Sequence, residues 1–513
     1  MKKSEEFTVT LAFDASLDEY LKRNYPGYKD IKIFSKSLDA RNAPKGRKPK
    51  YHYKGEVYFE TLRPAPKKNE QVSSYKGDPP IIIGAGPAGL FCALALVEKG
   101  IKPILIERGE GANQRMRSIA KFWRYGELNP ESNVCFGEGG AGLFSDGKLI
   151  TRVKSEHIPY VMNKLVEMGA PKEIAYLSNP HLGSNKIRGL IMNIRRYLIE
   201  KGCEVRLNSK VVDILTSNKN VTGVRFEDGT TLTGDKIVLA VGHSADEMYH
   251  LLAEKEVAMS EKDFAIGVRI EHKREYINKI QFGDFAGSPD LGSATYRLSY
   301  HNKETDLGTY SFCMCPGGYV LSSGTDSDGL VVNGMSNSTR HSPWSNSALV
   351  VTTKYSSIAP EAKDLFAGLN YQRKVEMQAY QASKDEASGR ELPALSLEEF
   401  MNGKVLSKKL PVTSSPSGIF KSELYDLLPK VVSDSLRTSI EQFAKKLPGY
   451  DFKNALLIAP ETRTSAPLKI LRDKVSLESL SHKGLYPCGE GAGYAGGITS
   501  AACDGVKVAH NIF

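Results

Sequence analysis

The stretch that most constrains this chain is Ile81-Ile82-Ile83-Gly84-Ala85-Gly86-Pro87-Ala88-Gly89-Leu90. Three apolar residues lead into glycines spaced G-x-G-x-x-G, helical periodicity runs from Pro87 to about Lys99, and Pro103 to Ile106 reads as a second buried strand. Such a βαβ unit is a dinucleotide cradle. Gly84 makes the tight turn, Gly86 lets the backbone approach a pyrophosphate, and Gly89 packs helix against strand. Pro87 and Ala88 open the helix, whose N-terminus carries about half a positive charge toward the phosphates. Glu107 closes the second strand 23 residues after Gly84, where an acid accepts from a ribose hydroxyl, and Arg108 beside it is assigned to the same site. An acid at that position suits the unphosphorylated adenosine ribose of FAD or NAD and disfavours NADP.

The C-terminal stretch supplies a second half-site. Leu485 to Gly505 reads as strand, Gly489-Glu490 turn, glycine loop and helix. Glu490 can accept from a ribityl hydroxyl, Gly496 and Gly497 let an isoalloxazine lie close, and the helix opening at Ile498 presents amides to the ring. Between the halves, Asn133 to Lys148 is too glycine-rich for a helix or strand interior, with five glycines in the eleven residues from Gly137 to Gly147. Gly140, Ala141, Gly142 and Lys148 of that loop are assigned to the cofactor, because bare backbone amides can approach a flat or anionic ligand. Val211 falls where backbone lies against an adenine, and the apolar strand Ile237 to Val241 ends in a turn at Gly242 that re-enters the site. His243, after it, reads as a hydrogen-bonded structural histidine. The expected cofactor is FAD, held from both ends of the chain.

With 513 residues, 41% of them apolar, the chain can build two to four domains with ordinary cores. It has no run of eighteen or so apolar residues and no apolar segment after its N-terminal Met1-Lys2-Lys3, so a soluble cytoplasmic protein without membrane association is expected. Seven scattered cysteines, an odd number, argue against a disulfide framework. Neither C-x-x-C nor C-x4-C follows the first βαβ unit, which argues against a dithiol relay of the glutathione-reductase kind. Cys313-Met314-Cys315 is the one close pair; strand alternation would put both thiols on one face, as core or active-site wall, with too few neighbouring ligands for a metal. Of the net charge of +10, residues 1–76 hold a surplus of 7, from 17 Lys and Arg against 10 Asp and Glu. A solvated surface is the expectation there, and nucleic acid an unlikely partner.

Four segments follow. Residues 1–75 form a small basic α+β module, with strands at Phe7 to Phe13, Ile31 to Ser37 and Glu56 to Thr61 and a helix from Ser16 to Arg23 behind a serine cap. Its basic loop from Asp39 to Lys50, with Tyr51 and Tyr53 just after it, admits single-strand nucleic-acid binding, but no nucleic-acid motif supports that use. Leu62 to Asp78 reads as a linker. Residues 76–258 are the first part of the FAD-binding domain and 451–513 the second. The intervening 259–450 is a substrate or cap domain on an antiparallel sheet, with strands at Phe264 to Glu271, Thr295 to Ser299, Gly308 to Met314 and Gly329 to Met335 and a helix from Tyr371 to Ala387. The fold class is thus α/β: a Rossmann-like FAD-binding domain with an inserted antiparallel α+β cap and a small N-terminal α+β module. No second G-x-G-x-x-G marks a nicotinamide domain, although NAD(P)H could still serve as a partner.

The glycine motif with Glu107 and the C-terminal Gly489-Glu490 segment resemble the FAD-binding fold shared by glutathione reductase and hydroxybenzoate hydroxylase relatives. More closely, Gly139-Gly140-Ala141-Gly142-Leu143-Phe144-Ser145-Asp146-Gly147-Lys148, Phe312 to Gly318, Asn333-Gly334-Met335-Ser336 and Glu461-Thr462-Arg463-Thr464-Ser465 resemble the signatures of a family of bacterial FAD-dependent dehydrogenases, over essentially the whole chain. The resemblance implies FAD and leaves the substrate open. The expected reaction passes hydride between a small-molecule substrate and flavin N5, with Lys148, Arg340 and Arg463 as candidates for anchoring an acidic substrate or stabilising developing charge. Two alternatives use the same fold: a flavin monooxygenase consuming NAD(P)H and oxygen, and a nucleic-acid-acting flavoprotein using the basic module. Oligomeric state is left open.

Overall fold

Ile81–Ile83 is the middle strand of a five-stranded parallel sheet in the computed structural model, which describes residues 3–62, 75–151, 153–359, 364–404, 409–452 and 454–513. Most of the expected linker lies outside the described residues. Across the sheet the strands run Leu485–Pro487, Ile237–Leu239, Ile81–Ile83, Ile104–Ile106 and Glu204–Arg206. The first four are buried throughout, as parallel strands covered on both faces must be, whereas the edge strand Glu204–Arg206 is partly exposed.

One face is covered by three helices, Pro87–Glu98, Ser184–Glu200 and Ile498–Asn511. Every residue from Ala88 to Val97 is buried, so this helix is apolar all round. Its closest neighbour is the C-terminal helix. A Cβ added at Gly505 would stand 2.0 Å from the Ala88 carbonyl oxygen, and one at Gly89 would stand 1.9 Å from that of Gly84. Backbone meets backbone at both places. The last strand and helix therefore dock on the first βαβ unit, joining the two ends of the chain.

One buried side chain holds much of the glycine-rich loop after that unit. Arg115, on the helix Ala112–Tyr125, is fully buried and spends its guanidinium on backbone carbonyls: Asn133 (2.8 Å), Val134 (2.8 Å), Gly137 (3.2 Å), Glu138 (3.0 Å) and Gly140 (2.9 Å). Burial pushes its pKa down to about 10, against the pull of the Glu107 carboxylate. A chain with few side chains of its own to pack is thereby fixed from within.

A seven-stranded sheet occupies the middle of the sequence, in the order Ser299–Asn302, Leu307–Cys315, Trp344–Thr353, Phe264–Lys273, Leu456–Glu461, Leu392–Ser396 and Ile419–Lys421. All its pairs are antiparallel except the last. The helix Lys430–Lys446 packs on its apolar face through Val432, Leu436, Ile440 and Phe443. The expected helix from Tyr371 to Ala387 is present as Ala367–Glu386. The strand expected at Thr295 to Ser299 begins instead at Ser299, because the Ser311 hydroxyl takes the Leu298 N–H and Tyr296 and Leu298 turn into the core.

In the N-terminal module the strands Ser4–Ala12 and Asp30–Asp39 flank Lys50–Tyr58, and Ser16 caps the helix Leu17–Asn24 by accepting from the Glu19 amide. The third strand thus starts six residues before the expected Glu56, and Tyr51 and Tyr53 belong to it. Tyr53 packs with Phe7, Leu21 and Val57, while the Tyr51 hydroxyl donates to the Asp290 carbonyl at 2.8 Å. Both aromatics serve the framework. Among the described residues no helix is long and apolar enough to cross a membrane.

Replacing Arg115 with Met leaves the buried Asn133, Val134 and Glu138 carbonyls without this donor, at about 1–3 kcal/mol for each one that water cannot reach, while the Gly137 and Gly140 carbonyls keep the amides of Gly140 (2.9 Å) and Leu143 (3.3 Å). The variant should unfold at lower denaturant and be cut by protease within 133–148 well before the wild type. A protection pattern equal to the wild type would show that the loop holds itself.

Candidate functional site

A cleft opens at the carboxyl ends of the parallel strands, where a Rossmann-like sheet places its ligands. It collects residues from segments far apart in sequence. Gly84, Gly86, Pro87 and Ala88 come from the glycine turn, Glu107 and Arg108 from the second strand, and Gly140, Ala141, Gly142 and Lys148 from the loop. Val211, Gly242, Glu490, Gly496, Gly497, Ile498 and Arg463 complete the set of expected residues on its wall. Three others lie elsewhere. Gly89 sits behind the turn as a packing glycine, Gly489 gives its amide to Asp504 at 2.8 Å, and Arg340 reaches the site only through Asp146.

The wall fits a dinucleotide in shape. A Cβ at Gly86 would meet only the Gly140 Cα, at 3.9 Å, and at Gly242, Gly496 and Gly497 it would meet nothing within 4 Å. These positions are bare toward the cleft, unlike Gly84 and Gly89, whose Cβ would strike backbone. Two helix N-termini, at Pro87 and Ile498, border the same space. Glu107 is buried and accepts from the amides of Ala85 (2.9 Å), Gly109 (3.0 Å) and Gly137 (3.0 Å), so it ties the glycine turn to the glycine-rich loop. Two carboxylate oxygens offer about four acceptor sites, which leaves capacity for a ribose hydroxyl. Arg108 lies over the Phe136 ring, 4.1 Å from its centroid, and is tied to Glu131 and Glu247. Burial raises Glu490 to about 7, opposed by the charge of Lys262.

The three basic candidates differ in freedom. Arg463 donates to Glu376 (2.9 and 2.7 Å), Thr325 (2.7 Å) and Asp326 (3.0 Å); burial would lower its pKa, but the Glu376 charge holds it well above the ordinary value. Its donors are largely committed to protein. Lys148 stands 3.0 Å from Asp146 Oδ2 on the cleft wall without hydrogen-bond alignment. Arg340 donates to the same carboxylate oxygen at 3.1 Å, and its own backbone adopts φ of 51°.

Asp146, which the sequence did not single out, is the hub of this cluster. Besides Lys148 and Arg340 it meets the Ser336 hydroxyl and, at 3.5 Å, His181 Nε2. Burial would raise its pKa, but the Lys148 charge, the His181 hydrogen bond and the Arg340 charge hold the carboxyl well below the usual range. Two fixed cations surround one carboxylate, a local surplus of positive charge. Nothing in the local sequence marked Asp146 or His181, and the left-handed turn at Gly147 (φ 70°) breaks any alternation between Asp146 and Lys148.

Beside this cluster the strand Leu307–Cys315 is kinked. Its register against Trp344–Thr353 slips between Phe312 and Cys315, and Cys313 adopts a left-handed φ of 46°. Phe312 and Cys313 face the cleft while Cys315 is buried behind them, so this pair is both wall and core. Under the kink, Arg269 is fully buried in a bidentate pair with Glu461 (2.9 and 2.9 Å) and donates to Asn346 (2.9 Å) and the Cys313 carbonyl (3.2 Å).

Residues 79–249 match the pyridine nucleotide-disulphide oxidoreductase family model, and residues 263–464 match that of the FAD-dependent protein, C-terminal domain-like. An uncharacterized protein of Clostridium beijerinckii (strain ATCC 51743 / NCIMB 8052) is 42% identical over 461 residues, which cover 89% of this chain and 84% of that protein. Among solved structures, a triple mutant of the flavin-dependent brominase Bmp2 aligns at a TM-score of 0.36 and 13% identity over 84% of this chain and 79% of its own. Glycine oxidase from Bacillus cereus ATCC 14579 aligns at 0.32 and 12% over 85% and 94%. Likeness at that level carries nothing about substrate. The chain belongs to a bacterial family of FAD-dependent proteins of the oxidoreductase type, which join a pyridine nucleotide-disulphide oxidoreductase FAD-binding domain of Rossmann-like α/β fold to a C-terminal domain of their own.

Proposed function

We propose that this protein is an FAD-dependent dehydrogenase acting on a small anionic substrate held beside Lys148. The observation that carries the reading is the positive surplus around Asp146 on the wall of the FAD cleft, with the buried Lys148 ammonium beside Asp146 left without a hydrogen-bond acceptor. When bound, FAD supplies the two-electron chemistry; the chain supplies position and charge. In this reading, bare backbone at Gly86 and the helix opening at Pro87 receive the pyrophosphate, and Glu107 the adenosine ribose. Glu490 accepts from the ribityl chain, and the helix opening at Ile498 turns its positive end on the isoalloxazine, where it favours added negative charge by about 0.3–1 kcal/mol. Lys148 pairs with the substrate anion, and Arg340 and Asp146 hold that ammonium in place.

Two variants separate binding from folding. Gly86→Ala and Gly496→Leu place their first added carbon in space that the protein leaves open, at ordinary backbone angles, so both should fold with apo-protein stability near wild type while losing most of their FAD. Gly89→Ala strikes the Gly84 carbonyl and should lose stability instead. Flavin absorbance per protein, read beside a denaturation curve, checks both; full flavin in Gly86→Ala and Gly496→Leu would remove the cofactor from this wall.

The substrate class is tested by mixing yellow protein anaerobically with a panel of carboxylate and uncharged metabolites, with NADH and NADPH included. Bleaching by a carboxylate is expected. Lys148→Met should then raise KM for that compound about 10- to 100-fold, matching the roughly 1.5–3 kcal/mol of a hydrogen bond to a charged group. Bleaching only by uncharged compounds, or an unchanged KM in Lys148→Met, would count against the anion.

A further inference from the structure

Seven cysteines are free in this fold, and five have an ordinary structural explanation. Cys92, Cys203, Cys488 and Cys503 pack in the helical core over the sheet, and the Cys135 thiol reaches the Ser323 carbonyl at 3.8 Å. Cys313 and Cys315 do not fit that account. A regular strand would point residues 313 and 315 to one face at its full repeat, but the bulge folds them together: Cys315 Sγ lies 3.1 Å from the Cys313 carbonyl oxygen, and the two thiols are in hydrogen-bonding contact. The left-handed backbone at Cys313 is disfavoured for a residue with a side chain, and it turns this sulfur onto the wall shared with Lys148, Glu490 and Ile498.

We infer that Cys313 and Cys315 form a dithiol–disulfide couple that exchanges two electrons with FAD bound in the cleft, an inference that rests on the FAD placement proposed above. Contact, access and charge support it. The sulfurs touch each other, one of them faces the cofactor space, and the Arg269 guanidinium and Lys148 ammonium act on the exposed one. The Cys315 hydrogen bond, aided by those two cations and opposed by burial, lowers Cys313 to about 6, while burial and the Cys313 sulfur keep the Cys315 thiol well above its ordinary value. The ionised form is thus favoured at Cys313 and the protonated form at Cys315, the pairing of thiolate with thiol from which a disulfide forms. In the oxidising direction the Cys313 thiolate and the Cys315 thiol form an S–S bond; the Cys315 S–H bond breaks, and its proton and the two electrons pass to oxidised FAD, giving FADH⁻. One negative charge stands on each side. The reverse step reduces the disulfide. The site could then store two electrons beyond those of the flavin.

Anaerobic titration of the full-length yellow protein with dithionite tests this, combined with mass mapping of alkylated cysteines before and after reduction. Starting from air-oxidised protein, uptake of four electrons per FAD is expected, and Cys313 and Cys315 should resist iodoacetamide in denaturant until reduced. Cys313→Ser should keep its FAD and take up two electrons. Should Cys315→Ser fail to fold, the wild-type alkylation map still decides. Yellow wild type that takes only two electrons, with both sulfurs alkylated before reduction, overturns the couple and leaves the FAD site standing. Protein that takes up no FAD overturns the site and the coupling together.

Discussion

The Arg115 clamp is the interaction on which the cleft depends. A loop bare enough to let a flat cofactor approach has given up the side chains that would otherwise fix it, and its backbone polar groups cannot be left buried and unpaired. One guanidinium, donating to five carbonyls between Asn133 and Gly140, resolves both difficulties. Glu107 does the matching work from the other side by accepting amides of Ala85, Gly109 and Gly137. Between them a buried cation and a buried anion set the distance from glycine turn to glycine loop. Glu138 extends the frame, accepting from the Ala112 amide (2.7 Å) at the start of the helix that bears Arg115 and from Arg195 (3.0 Å).

Chain closure is the second constraint. The C-terminal half-site is useful only if it returns to the first, and this is achieved by parallel pairing of Leu485–Pro487 with Ile237–Leu239 and by helix packing at Gly505 against Ala88. Arg472 reinforces the return, pairing with Asp504 (2.6 and 3.0 Å) and donating to the Pro487 carbonyl at 2.6 Å. Glu490 and Gly496 reach the cleft because the strand and helix on either side are fixed. The seven-stranded sheet then contributes Phe312, Cys313 and Glu461 to the wall facing them, and the separate hairpin strand Val332–Ser336 adds Asn333.

What could be read from sequence was whatever is written in local chemistry. The cradle was legible because turn, helix and strand each carry a residue-level signature, and the same held for the C-terminal glycine turn and the helix after it. In the middle sheet, Phe264–Lys273 and Leu307–Cys315 were legible by alternation and Ser299–Asn302 only at its edge, where the Ser311 hydroxyl replaces a ladder bond at Leu298. Trp344–Thr353, Leu392–Ser396, Ile419–Lys421 and Leu456–Glu461 were not read, and the strand read at Gly329 to Met335 pairs in a separate hairpin as Val332–Ser336. Tyr51 and Tyr53 were misplaced beside a loop because their strand begins in the basic run at Lys50, whose polarity masks its pairing with Ala12 and Asp39. Arg115, Asp146 and His181 were invisible for another reason: apart from Lys148 beside Asp146, their partners lie 18 to 194 residues away, and a buried charge looks like a surface charge until its partners are known. Arg340 and Arg463 illustrate the converse. Both were picked for their charge, and in the fold one is paired with Asp146 and the other is largely occupied by Glu376, Thr325 and Asp326.

The kink at Cys313 joins these two levels. Its carbonyl accepts from Arg269, whose charge is balanced by Glu461 on the neighbouring strand, so the bulge sits on a buried ion pair. Such a pair contributes little net stability against apolar residues of similar volume, but losing one partner leaves a charge in low dielectric. Its retention is better understood as geometric. A guanidinium held in a planar fork by Glu461 keeps its remaining donors aimed at Asn346, Asn333 and the Cys313 carbonyl, and so fixes where the strand departs from regular pairing. The wall of the cleft inherits its shape from that fork. The hydrogen bond from Cys315, helped by this positive charge beneath the sulfur, lowers Cys313, while burial and the neighbouring Cys313 sulfur hold the Cys315 thiol well above its ordinary value.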